Sequence, residues 1–326
     1  MATADQIKSL LRSHSEGDDA RFYAVAMQVA ANEARKGHEE LAKEIRALVD
    51  RAKLRKSSAL GGQIVHFAQP QGEAAELLDE IHDNRKVSDL ILQKPLADRL
   101  KRIIEEQQNL SRIKSNGLRP RQRLLFTGPP GCGKTFTASA LANELGLPLF
   151  VIRLDSLINR YLGESLSKMR IIFDAVNQSK AVYLFDEFDS IGFTRDASND
   201  VGEMRRVLNG FLMHLEKLKS ESLVIAATNF ANRLDKALFR RFDDLIEFGL
   251  PGEQEAWATI NQLLSAVKTA ELQKAKLISA ACGLSYAEIT RACEEAMKEM
   301  IISGKKQITT TMLLNALTER RILGSH

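Results

Sequence analysis

Apolar positions along this chain change their period twice. Over the first 56 residues they recur at helical spacing. Ile7, Leu10 and Leu11 make a short stripe, and Phe22, Val25, Ala26 and Val29 fall at i, i+3, i+4 and i+7. Leu41, Ile45, Leu48 and Ala52 repeat the pattern after a break at Gly37. Residues 57–84 lose that periodicity at Ser57-Ser58, Gly61-Gly62, Pro70 and Gly72 and read as a linker, with Ile64-Val-His-Phe67 a short strand or buried anchor within it. A helix is expected after Pro95, with Leu96, Leu100, Ile103 and Ile104 on one face. Five short apolar runs then alternate with amphipathic helices: 124–127, 149–152, 181–185, 223–228 and 245–248. Runs this apolar suit a parallel sheet covered on both faces. After Pro251 the strand signals stop. Ile289, Ala292, Cys293, Ala296, Met297 and Met300 share a helical face, and Ser285 with Glu288 forms a capping box that starts that helix. The expected fold is α/β. A helical region (1–56) and a linker (57–84) precede a unit with a parallel five-stranded sheet and helices on both faces (85–250), and a small all-α unit follows (251–326).

One loop carries unmistakable chemistry. Gly128-Pro-Pro-Gly-Cys-Gly-Lys-Thr135 matches G-x-x-x-x-G-K-[ST] between a strand and a helix. Its glycines let the backbone wrap a phosphate and aim N–H groups inward at a helix N-terminus. Lys134 is expected to reach the β- and γ-phosphates and the Thr135 hydroxyl to ligate Mg2+. The nucleotide-binding candidates are thus Gly128, Pro129, Pro130, Gly131, Cys132, Gly133, Lys134, Thr135 and Phe136. The apolar run at 181–185 ends in Asp186-Glu187, where a doubly wound sheet places ligands. Asp186 is expected to hold the Mg2+ and Glu187 to polarise the attacking water.

Composition narrows the alternatives. A length of 326 residues suggests about two units of ~150. No apolar run approaches the ~20 residues of a membrane-spanning helix, and the polar N-terminus carries no secretion signal. Cys132, Cys282 and Cys293 are too scattered for a disulfide framework or zinc site, which fits a reducing cytoplasm. A net charge of +4 argues neither for nor against nucleic acid. Residues 99–123, however, concentrate Arg99, Lys101, Arg102, Arg112, Lys114, Arg119, Arg121 and Arg123 against Glu105 and Glu106. That run lacks the interleaved aromatics that stack on bases.

Together, the phosphate loop, Asp186-Glu187, Ala227-Thr-Asn229 and Ala237-Leu-Phe-Arg-Arg-Phe242 resemble, in order and spacing, the AAA+ ATPases. The branch is that of FtsH, the proteasomal ATPases, valosin-containing protein, katanin and spastin, and the likeness covers roughly residues 85–326. The resemblance implies a Mg2+-dependent ATPase in which Asn229 helps place the lytic water. Arg240 and Arg241 resemble arginine fingers that complete the site of a neighbouring subunit, so the family implies a ring, usually a hexamer. Tyr161-Leu162-Gly163 resembles a pore-loop triplet that grips a threaded polypeptide, and residues 192–202 a second pore loop. Gly283-Leu-Ser-Tyr-Ala-Glu-Ile289 resembles the lid segment, with Gly283 and Ala287 at the nucleotide and no arginine sensor. These features imply protein remodelling, unfolding or translocation through a central pore, either alone or for a separate partner such as a protease bound through the N-terminal region. No H-E-x-x-H follows the lid, so a fused zinc protease of the FtsH kind is not expected. The less favoured alternative is a nucleic-acid-associated ATPase of the helicase-loader or transposition-regulator type. A microtubule-interacting N-domain rests on helix count alone.

Overall fold

A computed structural model describes residues 25–27, 29–30, 72–157, 162–192, 201–231, 234 and 236–323. The chain divides into two compact units, residues 1–66 and 67–326. The described residues of the first unit are helical, with Ala26, Val29 and Ala30 buried. The candidate segment 64–67 lies outside the described residues.

The second unit begins with α1 (Glu73–Leu77) and β1 (Leu78–Ile81). A 3-10 turn (Val87–Asp89), α2 (Lys94–Gln108), α3 (Leu110–Ser115), β2 (Arg123–Thr127) and α4 (Lys134–Glu144) follow. Next come β3 (Leu149–Ile152), α5 (Leu154–Leu157), α6 (Leu162–Gln178), β4 (Val182–Phe185), α7 (Asp189–Gly192) and α8 (Val201–Glu216). β5 (Leu223–Thr228), α9 (Lys236–Phe239) and β6 (Asp244–Glu247) complete the α/β part, and α10 (Glu253–Leu264), α11 (Lys274–Ala281), α12 (Tyr286–Ile302) and α13 (Thr310–Leu323) form the helical part.

All five predicted strands are present and parallel, in the order β3-β4-β5-β2-β6. Every residue of β4 and β5 is buried, as expected of strands covered on both faces. A sixth strand departs from the five-stranded expectation. β1 adds to the edge of the sheet, antiparallel to β3, with Leu78 opposite Ile152. It lies inside the segment expected to be linker, as does α1. Strand β1 buries one residue fully, Leu78, and carries two carboxylates in four positions, so its apolar signal is short. It is fixed instead by the ladder, by Arg153 N–H donating to the Leu77 carbonyl (3.0 Å), and by an Arg153–Asp79 ion pair.

Helices cover both faces. One core gathers Phe173, Phe185, Phe188 and Phe211, and the other packs Leu100, Ile103 and Leu141 onto Leu124, Phe126 and Ile225. The helix after Pro95 therefore buries the predicted face. A third core holds the helical part together, and the predicted α12 face supplies Ile289, Ala292, Cys293 and Ala296, with Met297 and Met300 packed beside them. Its capping box is formed: Ser285 Oγ accepts from Glu288 N–H, and the Glu288 carboxylate accepts from Ser285 N–H at 2.6 Å.

Candidate nucleotide-binding site

Parallel strands place their carboxyl ends on one edge. Thr127 at the end of β2 pairs with Thr228 at the end of β5, and Phe185 at the end of β4 pairs with Ala226. The phosphate loop, Asp186 and Asn229 follow directly from these strand ends, so the sheet sets them side by side. The loop's shape demands glycine. Gly128 has φ +140°, and a Cβ there would lie 2.0 Å from the Phe248 carbonyl oxygen. Gly131 (φ +74°) and Gly133 (φ +92°) are left-handed.

Lys134 opens α4 and is buried. Its ammonium donates to the carbonyls of Gly128 (2.7 Å) and Pro129 (2.9 Å) and to Asn229 Oδ1 (2.7 Å), using all three donors. Burial pushes its pKa down, while Cys132, Asp186 and Asp189 oppose the shift. The Thr135 hydroxyl donates to Asp186 Oδ2 at 2.6 Å. This hydroxyl–carboxylate pair beside a phosphate nest is a donor set suited to Mg2+, which keeps several waters and takes few protein ligands. Among the described residues there is no group of three or more His, Cys, Asp or Glu side chains clustered for a metal.

Glu187 is exposed and has φ +49°, a left-handed conformation that costs a non-glycine residue about 1–2 kcal/mol. Flanking bonds hold it there. Its N–H donates to Asp186 Oδ1 (2.9 Å), Phe188 N–H donates to the Ala227 carbonyl (2.8 Å), and Ser190 N–H donates to the Glu187 carbonyl (2.8 Å). Strain at an exposed carboxylate beside the nest is a known mark of functional sites. Asp189, absent from the sequence-based set, accepts from Thr228 Oγ1 (3.1 Å) and Asn229 N–H (3.4 Å) and so anchors the Asn229 backbone.

The helical part touches the loop directly. Ala287 N–H donates to the Gly131 carbonyl at 3.1 Å, with Ser285 beside it, while Gly283 (φ +84°) turns the chain into the α12 cap. Cys132 is buried against this contact, and that burial raises its pKa.

Comparison with known proteins identifies the family to which this chain belongs. The family described as "ATPase family associated with various cellular activities (AAA)" matches residues 124–250. An uncharacterized AAA family ATPase, y4kL of Sinorhizobium fredii, is 35% identical over 308 residues, covering 94% of this chain and 92% of that protein. The chain belongs to the AAA ATPase family. This membership carries ATP hydrolysis. Other AAA proteins match over shorter spans. Peroxisomal ATPase pex6 of Schizosaccharomyces pombe is 40% identical over 159 residues (46% of this chain, 17% of pex6). The ATP-dependent zinc metalloprotease FtsH of Metamycoplasma arthritidis is 29% identical over 245 residues (73% of this chain, 33% of FtsH). The chain thus spans nearly all of y4kL but a third or less of pex6 and FtsH.

Not every expected AAA site residue converges on the loop. Arg240 and Arg241 are exposed, two to three residues before Asp243, which binds the amino end of β2 through Arg123. The phosphate loop leaves the opposite end of that five-residue strand, about 16 Å away at 3.3 Å per residue. Arg241 pairs with Glu216 at the end of α8, a partner the sequence reading missed, whereas Arg240 makes no ion pair among the described residues. Tyr161 lies outside the described residues. Leu162 and Gly163 begin α6, and most of the expected second pore loop, residues 193–200, is also outside them.

The basic run at 99–123 is largely used internally. Arg99 and Arg121 pair with Asp244, Arg102 with Glu106, Lys114 with Glu221 and Arg123 with Asp243. No helix among the described residues is long and apolar enough to cross a membrane.

Proposed function

We propose that this AAA ATPase is a ring-forming, Mg2+-ATP-driven protein remodeller whose sites are completed between subunits. The observation that carries the reading is the separation of Arg240 and Arg241 from their own phosphate loop by the length of β2. An arginine so placed has no route to its own γ-phosphate. Arg240, which makes no ion pair among the described residues, is available to the next copy in a head-to-tail ring, and Arg241 would leave Glu216 to join it.

Within one subunit, the loop N–H groups and the α4 N-terminus bind the phosphates. On nucleotide binding Lys134 exchanges its loop carbonyls for phosphate oxygens, while Asn229, anchored by Asp189, stays beside it. Thr135 and Asp186 would hold Mg2+, which would supply charge neutralisation on the phosphate oxygens. Glu187 accepts the proton of the attacking water, with its carboxylate presented by the left-handed backbone. The arginines of the neighbouring subunit offset charge developing in the transition state. The Ala287–Gly131 contact links the loop to the helical lid, so a change in the nucleotide alters the lid angle.

Tyr161 and Leu162 would move with that change and drag a protein substrate. The FtsH and pex6 matches support this relationship. Residues 1–56 would dock a partner or substrate through a linker whose far end is built into the sheet as β1. Cysteines without disulfides fit a cytoplasmic setting. The test is a pull-down with Glu187→Gln, which should trap an ATP-bound ring on its client. Tyr161→Ala should retain ATPase activity and lose remodelling; unchanged remodelling would exclude the pore-loop role.

A further inference from the structure

A cation is stacked on an aromatic ring beside the phosphate loop, and none of the steps above uses it. The Arg85 guanidinium carbon lies 4.1 Å from the centroid of the Phe136 ring. Phe136 directly follows Thr135 in the first turn of α4 and is 48% exposed. Arg85 is held from two sides. Asp83 accepts from its Nε–H and its backbone N–H, each at 3.1 Å, and Asn143 of α4 donates to its carbonyl at 2.9 Å. The two terminal nitrogens make no hydrogen bond among the described residues. Just downstream, Gln262 of α10 donates to the Asp89 carbonyl at 3.1 Å, so this segment is clasped between α4 and the lid.

The pair therefore has three properties at once. It is preorganised, it offers a planar cationic face, and it has unused N–H donors in a fixed fork. Bare phosphate would use the donors and leave the planar face idle. A nucleoside uses both, because its base has a π-face and hydrogen-bond acceptors. We propose that Arg85, stacked on Phe136, is the outer wall of the nucleoside subsite and selects nucleotides over bare polyphosphate. The inference rests on the phosphate-loop reading and assigns a residue to the other end of the same ligand.

The test is equilibrium binding of ADP and of inorganic tripolyphosphate by calorimetry, for wild type, Arg85→Ala, Arg85→Lys and Phe136→Leu. Loss of the stacked face should weaken ADP binding about tenfold in Arg85→Ala, with a comparable loss in Phe136→Leu. Arg85→Lys, which keeps the charge without the plane, should fall with them. Tripolyphosphate affinity should change less than about twofold, and the unliganded melting temperature should stay near wild type. An equal loss for both ligands would overturn the proposal, as would unchanged ADP binding in all three variants. Lys134→Ala distinguishes the underlying reading: if it binds both ligands as tightly as wild type, the phosphate loop itself is misassigned.

Discussion

Replacing Gly131 by alanine should strain the joint between phosphate loop and lid, and Gly133→Ala supplies the control. Both glycines are left-handed, so alanine at either costs about 1–2 kcal/mol in backbone strain. Their surroundings differ. A Cβ on Gly131 would lie 2.7 Å from Ser285 Oγ and 2.9 Å from Ala287 Cβ, whereas one on Gly133 would meet nothing within 4 Å. Overpacking of this kind costs about 1–3 kcal/mol. It is relieved if the start of α12 backs away, which breaks the Ala287–Gly131 hydrogen bond, worth about 1 kcal/mol. Gly133→Ala should therefore lose about 1–2 kcal/mol in urea denaturation without nucleotide, and Gly131→Ala about 2–5 kcal/mol. In a Cys282→Ser background, a thiol reagent should label Cys132 faster in Gly131→Ala alone, because that thiol is 2% exposed under the contact. Equal stability losses and equal labelling rates in the two variants would refute the coupling.

Other consequences follow from the same geometry. Glu187→Gln should bind nucleotide normally while kcat falls about 100-fold or more, read by steady-state phosphate release. Thr135→Ala removes half of the hydroxyl–carboxylate pair, so its ATPase should need a higher Mg2+ concentration for half-maximal rate. Asp243 gives a pH test. Burial alone would raise its pKa, but the Arg123 guanidinium and the N–H groups of Gln122 and Arg123 hold it below the ordinary carboxylate range. A depressed folded-state pKa stabilises the fold above the unfolded value near 3.9 and ceases to do so as pH falls through the folded value. Asp243→Asn should thus cost about 1–3 kcal/mol at pH 7, and the gap to wild type should narrow once the pH drops below about 3.9.

Local pattern marks the strand ends from which the phosphate loop and Asp186 leave, while Asn229 stands out only through the family resemblance. The loop glycines, Lys134, Asp186 and Asn229 each follow an apolar strand, and parallel pairing aligns those ends. What escaped was tertiary. Glu216 meets Arg241 from 25 positions earlier in the chain, and no local spacing links them. Asp189 belongs to no motif of its own, and only the turn of α7 brings it onto Thr228 at the end of β5. The basic run at 99–123 read as excess charge because its partners Asp243, Asp244 and Glu221 lie more than a hundred residues downstream. β1 carries no strand signal of its own within the linker pattern, because an edge strand needs apolar residues on one side only and this one is four residues long.

Mixing two inactive variants tests the shared site most directly. Glu187→Gln lacks the base but carries intact arginines, while Arg240→Ala/Arg241→Ala retains an intact phosphate loop and base. Each should hydrolyse ATP poorly alone. Mixed rings should regain activity at interfaces that join an intact Glu187 to intact arginines of the neighbouring subunit, with a maximum near equal proportions. Full activity of the double arginine variant alone, or no recovery at any ratio in rings shown to co-assemble, would contradict a site built between subunits.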